Sequence, residues 1–373
     1  MQYANGRILL SPSDLNNYVS CRHLTTLERA VARGELERPH RSDESAKHLQ
    51  DKGLEHEFHF LQQLHAEGRE VVDITMDERR DFGGAAQRTL EAMRAGADVI
   101  SQATFVSGTW RGRADFLLRT DVKTDLGGWG YEALDAKLAR AEKPTYVLQL
   151  CFYSDAIADI QGERPEHMHV HLGTGAPVRL RYDDFSAYYR RVRKRFEEAI
   201  ALTEPTEAWP VDHCALCDFV GVCNSRWRAD DHLVQVAGIR RDQVVRLREA
   251  GLPTLTALAR ATTTVNVQRM SPHTFDALRD QALLQLIRRT IPRLDWHSIG
   301  CDEGRGFELL PAPSSGDVIF DIEGDPFWEP AQGLHFLFGL LLSDGSDWRY
   351  QPIWAHDRTG ERAMFEAFVD LVH

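Results

Sequence analysis

Trp110-Arg-Gly-Arg-Ala-Asp-Phe-Leu-Leu-Arg-Thr-Asp-Val-Lys-Thr-Asp-Leu-Gly-Gly-Trp-Gly-Tyr-Glu-Ala-Leu-Asp-Ala-Lys-Leu138 is the stretch on which the reading of this chain turns. Two largely apolar runs, 110–119 and 129–138, flank turn chemistry at Asp121–Asp125 and Gly127-Gly128, which predicts two strands of a meander. Asp115 stands in the first strand, and Asp135 and Lys137 stand in the second. The period of two along a strand places Asp135 and Lys137 on one face. Adjacent strands then allow Asp115 and Asp135 to converge on one point.

Outward from this meander the pattern alternates. A capped helix start at Ser11-Pro-Ser13-Asp14 opens a helical stretch to about residue 33, with Cys21 inside it. A second helix is expected over about 43–66, carrying Gly53 and His56 three positions apart. A third is expected near 78–95, followed by a strand at 98–106. After the meander come a helix at 144–161 with Gln149 and Tyr153 one turn apart, two short strands over 166–182 and a charged helix over 184–203. That order makes a mixed α/β domain over residues 1–229. Residues 230–310 read as a small helical module punctuated by Gly238 and Gly251. Pro311–Gly316 reads as a linker into three strands and a helix over 311–373.

The residue types point to phosphodiester chemistry. Hydrolysis of a phosphodiester needs a cation to polarise the phosphate, an activated water and charge stabilisation for the leaving oxygen. Mg²⁺ and Mn²⁺ take carboxylates, waters and an occasional imidazole. Asp115 and Asp135 supply the carboxylates, His56 a nitrogen and Lys137 the positive charge. Each is commonplace alone; their joint order carries the reading. Glu132 is expected as a solvated strand residue, with an auxiliary acid as the second reading.

The set Gly53-x2-His56, Gly112-x2-Asp115, Asp135-x-Lys137 and Gln149-x3-Tyr153 resembles the RecB-like branch of the PD-(D/E)xK nucleases. The resemblance implies a restriction-endonuclease-like α/β fold, a mixed sheet flanked by helices. It also implies that His56, Asp115 and Asp135 bind Mg²⁺ or Mn²⁺, that Lys137 is catalytic, and that Gln149 and Tyr153 contact DNA, expected as a single strand or an end. Phe320-Asp321-Ile-Glu323 resembles the opening motif of DEDD-type exonucleases with an RNase H-like fold. It implies a second metal pair, Asp321 and Glu323, at the start of a domain whose later acids the sequence does not contain. The segment from Trp227 to Ala259 looks like the helical linker of bacterial RecB-like nuclease–helicase fusions, with a helix-hairpin-helix flavour. No G-x4-G-K-[ST] occurs, so a helicase partner is expected in a further part of a longer protein or on another chain.

Four cysteines bracket the acidic positions. Cys21 precedes them, and Cys214, Cys217 and Cys223 follow as C-x2-C-x5-C. Four thiolates suit structural zinc and an iron–sulfur cluster alike. The arrangement resembles AddB-type and CRISPR-adaptation nucleases, which implies a [4Fe–4S] cluster stapling the ends of the nuclease domain. Cys151 and Cys301 stand alone and read as buried structural residues. No apolar run reaches the length of a bilayer span, and the N-terminus has no signal-peptide pattern, so the expected compartment is the cytoplasm. The net charge of −12 argues against a broadly basic surface but leaves room for a local groove. The strongest basic run, Arg190–Arg195, reads equally as a phosphate-holding stretch and as a solvated helix face. Two rival functions stay open on the sequence: a non-catalytic DNA-binding module that guides a helicase, and a zinc-stabilised interaction domain.

Overall fold

The computed structural model describes the chain except for residues 5, 41–43, 75–80, 203–204, 263–264, 292–295, 297–299, 301–302, 315, 330–331 and 344–346. Cys301 therefore lies outside the described residues. The chain forms two compact units. One comprises Met1–Asn16, Asp43–Glu198 and Leu310–His373; the other comprises Asn17–Ser42 and Ala199–Leu309. This division differs from the expected 1–229, 230–310 and 311–373.

The first unit opens with a hairpin that the sequence reading did not anticipate, β1 (Gln2–Ala4) and β2 (Arg7–Leu9), followed by α1 (Pro12–Ser20). The helical stretch expected to run through Cys21 breaks there. Cys21 is extended at φ −158°, ψ 111°, and α2 (Arg22–Ala32) starts after it. The long helix α3 (Glu44–Ala66) leads to a short strand, β3 (Val71–Asp73), also missed in the sequence. Helix α4 (Phe82–Ala95) is capped by Asp81, whose carboxylate accepts from the Gly84 amide at 2.9 Å, and it ends on left-handed Gly96. Strands β4 (Val99–Ser107), β5 (Trp110–Thr120) and β6 (Gly130–Lys137) form the expected meander. Helix α5 (Pro144–Gln161), strands β7 (His167–Leu172) and β8 (Pro177–Arg181) and helix α6 (Tyr182–Ala201) complete the central layer.

The six-stranded sheet runs in sequence order, β3 to β8. It is mixed: β3 pairs parallel to β4 and β6 parallel to β7, with the remaining neighbours antiparallel. Each parallel pair is joined through a helix, α4 or α5, as a parallel connection requires. Helix α3 packs Phe60 and Leu64 onto Val99, Phe116, Leu134 and Ala136 of the sheet. Helix α5 is apolar on several sides and buries Val147, Leu148, Leu150, Cys151 and Phe152. The centre of β6 is covered on both faces and reads as a continuous buried run, Tyr131 to Ala136, broken only by Glu132.

The second unit gathers α2 with the segment that follows α6. Arg29 donates to the carbonyls of Ala199 and Leu202 at 3.3 and 2.7 Å, and His23 and Thr26 each bond Thr206 at 2.8 Å. These bonds are the physical reason that Cys21 belongs with the C-terminal cysteines. A short 3₁₀ turn, Asp212–Ala215, precedes α7 (Val220–Ala229). Helices α8 (Arg241–Glu249), α9 (Leu255–Ala259) and α10 (Pro272–Thr290) then close on a core of Val244, Leu247, Leu255, Leu258, Phe275 and Leu278.

Residues 318–372 form the antiparallel sheet β11-β10-β9, from β9 (Val318–Glu329), β10 (Gln332–Ser343) and β11 (Trp348–Trp354), with α11 (Arg358–Val372) behind it. Among the described residues no helix is long and apolar enough to cross a membrane.

Candidate functional site

The antiparallel β5–β6 pairing runs to Phe116 opposite Leu134. One step further, where the ladder ends, stand Asp115 and Asp135. The freed Ala136 amide donates to Asp115 Oδ2 at 2.9 Å instead of to a strand neighbour. Lys137 Nζ lies 3.2 Å from Asp115 Oδ2 and 3.3 Å from Asp135 Oδ2. The structure thus brings the three central residues of the sequence reading together.

Their electrostatics are asymmetric. Asp135 is fully buried, and neither carboxylate oxygen accepts a hydrogen bond of good geometry. Burial first, and then the Asp115 charge, push its carboxyl well above the usual range, with Lys137 pulling the other way. Burial by itself would discharge Lys137, but Asp135 and Asp115 outweigh it and hold the ammonium charged. A buried carboxylate lacking hydrogen bonds is costly unless further positive charge reaches it. Lys137 is one such charge and a divalent cation would be another. Carboxylates are the donors Mg²⁺ and Mn²⁺ prefer, although among the described residues no three His, Cys, Asp or Glu side chains stand at metal-holding spacing.

Around this point lies a cleft of about 570 Å³ lined by Asp115, Arg111, Gly112, Arg113, Glu57, Gln102, Phe82, Gln149 and Tyr153, with residues of 1–14 at one side. Gly112 is there for a steric reason. A Cβ on it would stand 2.7 Å from the Phe152 ring and 3.0 Å from that of Tyr153. Its absence lets α5 approach β5. Gly53 has no such reason, since nothing lies within 4 Å of the position its Cβ would take.

Gln149 and Tyr153 take different roles. Tyr153 is buried and donates its hydroxyl to the Arg113 carbonyl at 2.6 Å, fixing β5 two residues before Asp115. Burial, then the two aspartates, raise its phenol well above the ordinary value, which keeps the donor protonated. Gln149 is half-buried and donates to the Tyr153 oxygen at 3.0 Å. His56 is buried and stacked on His171, with ring centroids 5.1 Å apart, and its Nε2 lies 3.2 Å from the His171 carbonyl. A carbonyl only accepts, so in that bond Nε2 is the N–H donor.

Glu57, the next residue on α3, enters the cleft although the sequence reading passed over it. Burial and then Asp115 raise its carboxyl, and Gln102 donates a hydrogen bond to it. Gln102 sits in the middle of β4 with φ at +56°. A left-handed residue inside a strand is strained for a side chain other than glycine, and such strain gathers at functional positions. The neighbouring pairs Ser101–Phe116 and Ala103–Ala114 place it opposite Asp115. Glu132 is neither solvated nor in the cleft. It accepts from the His167 amide at 3.0 Å and lies 2.7 Å from His169 Nε2.

The four cysteines all fall in the second unit, half-buried. Cys21 lies between α1 and α2, Cys214 in the 3₁₀ turn, Cys217 just after it and Cys223 in α7. Burial pushes the Cys223 thiol up to about 11, and Cys217, Cys21 and Cys214 add to that rise. The four sulfurs therefore feel one another, although among the described residues no three His, Cys, Asp or Glu side chains stand at metal-holding spacing. Asp321 and Glu323 lie exposed at alternate positions of β9 and do not line the cleft described above. Of the basic run on α6, Arg193 stacks over Trp110 at 4.9 Å and pairs with Glu197 at 3.0 Å, while Arg190, Arg191, Lys194 and Arg195 are exposed. No protein-family model matches the chain, and no curated protein matches it.

Proposed function

We propose that this protein is a divalent-metal-dependent nuclease of the RecB-like PD-(D/E)xK type, acting on DNA at single strands or ends. The observation that carries the reading is Asp135, a fully buried carboxylate whose oxygens accept no hydrogen bond of good geometry, set beside Asp115 and ion-paired, like it, with Lys137. Asp115 and Asp135 would hold Mg²⁺ or Mn²⁺, with Glu57 and His56 of α3 as the adjoining donors. When bound, the cation neutralises phosphate charge and makes a coordinated water more acidic. Lys137 keeps its proton beside the two acids and directs its N–H groups at the attacking water or the phosphate oxygens. Tyr153 holds the backbone of β5 so that Asp115 stays in place, and Gln149 presents its amide to the substrate strand.

The cysteine set of the second unit would hold a [4Fe–4S] cluster, with zinc as the competing occupant of the same thiolates. Its role is structural. Asp321 and Glu323 would be two of the metal-binding acids of an incomplete RNase H-like segment, and a helicase in cis or in trans would be the partner such a nuclease serves in repair, recombination or foreign-DNA processing. The reading is tested with anaerobically purified protein and end-labelled single-stranded DNA in Mn²⁺. Asp135→Ala and Lys137→Ala should each lose at least about a hundredfold in degradation rate while keeping the wild-type circular dichroism. Wild-type rates in both variants would overturn it.

A further inference from the structure

The cleft has a second side, away from the acid pair. Arg111 and Arg113 occupy alternate positions of β5 immediately before Asp115, and all three line the same cavity. Arg113 is exposed, while Arg111 lies partly buried with its guanidinium 4.5 Å from the centre of the Phe82 ring at the start of α4. Alternate residues of a strand are about 6.6 Å apart, at about 3.3 Å per residue. That step is close to the separation of neighbouring phosphates in an extended single strand. Arginine holds phosphate through paired N–H groups, and a guanidinium seated on a ring is already oriented.

Both arginines also feel acids of the cavity. Burial and then Asp115 raise the Glu57 carboxyl while Lys137 and Arg113 pull it back, and Asp14, which acts on Arg111, is bound by the terminal amino group at 2.5 Å and by the Ser11 amide at 2.8 Å. The two guanidiniums thus set positive charge at a fixed interval beside those acids. This matters in a chain of net charge −12, where the whole-molecule field repels a polyanion and a local track must hold it.

Resting on the nuclease reading, we infer that β5 is a phosphate ladder. The scissile phosphate lies at Asp115 and Asp135, the next phosphate on one side lies at Arg113, and the one beyond it lies at Arg111, with a base against Phe82. The ladder makes Arg113 and Arg111 the residues that set how much strand must be engaged before the bond at Asp115 is positioned. They act on binding and alignment rather than on the bond itself.

The test measures binding without cleavage. A fluorescently labelled single-stranded oligonucleotide is titrated in EDTA against wild type, Arg113→Ala, Arg111→Ala, the double variant and Arg113→Lys, over a range of salt. Each alanine should lower the slope of log affinity against log salt by about 1, and the double variant by about 2, while Arg113→Lys keeps the wild-type slope. An oligonucleotide with methylphosphonates at two successive positions on one side of the cut, tried on each side in turn, should for one side show the same loss on wild type and no further loss on the double variant. Unchanged slopes in both single variants overturn the ladder even where the wild type cleaves DNA. A wild type that neither binds nor cleaves the oligonucleotide overturns the nuclease reading as well.

Discussion

At the scale of the residue, the tightest constraint in the cleft is Gly112, because the rings of Phe152 and Tyr153 occupy the space a side chain would need. Both rings are buried in α5 and are not free ends that swing aside. Gly112→Ala is therefore expected to lower unfolding stability by about 1–3 kcal/mol, the usual cost of overpacking, and to shift α5 away from β5. Denaturant unfolding checks the first part, and the second appears as loss of the Tyr153 bond to Arg113, read from faster exchange of the β5 amides. Gly53→Ala at the other glycine of the sequence pattern should stabilise by up to about 1 kcal/mol, since it sits in the body of α3 with open space around it. The two glycines look alike in sequence and differ only in what packs on them. Asp115, Asp135 and Lys137 were legible because strand period and turn chemistry place them together. Gln102 was not, since nothing in Ser-Gln-Ala announces a left-handed residue. Glu57 stands unmarked beside His56, and the Arg-x-Arg-x-Asp alternation ahead of Asp115 is visible in the sequence but has no motif to single it out.

At the scale of the element, the β6–β7 pair shows how a sheet settles a charge that does not line the cleft. Glu132 is the polar break in the buried run of β6, and β7 answers it with the His167 amide and the His169 ring. Burial by itself would raise the Glu132 carboxyl, but the His169 hydrogen bond leads the partners that outweigh it, and the net shift is downward. A carboxylate whose folded pKa is depressed adds stability that is present above the unfolded value, about 4.5, and lost as pH falls through the folded value. Glu132→Gln should thus cost about 1 kcal/mol at pH 7, the lower range for a charge-assisted bond that solvent partly screens. The difference in melting midpoint from wild type should shrink as the pH drops below about 4.5. A gap that stays constant down to pH 3 would contradict this account. The meander, α5 and the two strands after it were readable from period and turn residues. The hairpin β1–β2 and the strand β3 were not, because runs of three residues carry no usable period and gain their strand form from pairing.

At the scale of the molecule, the cysteines and the carboxylates belong to different compact units. Sequence order alone encloses Asp115 and Asp135 between Cys21 and Cys214, which made the cysteines look like a clasp around the cleft. Within the second unit, α2 is joined to the segment after α6 through Arg29, His23 and Thr26. Long-range pairing of that kind has no local signature, so the unit boundaries could not be read in advance. It has a consequence for the proposed cluster. Binding energy from a structural metal adds to the stability of the residues that must be ordered to hold it. Cys217→Ser should therefore abolish the visible absorbance of the anaerobically purified protein and speed amide exchange across α2, α7 and α8 by tenfold or more. The amides of β4, β5 and β6 should keep their protection, because their hydrogen bonds and the Phe60, Phe116 and Leu134 packing lie within the other unit. Equal loss of protection in both units would mean instead that the cluster supports the cleft directly, as a clasp around it would.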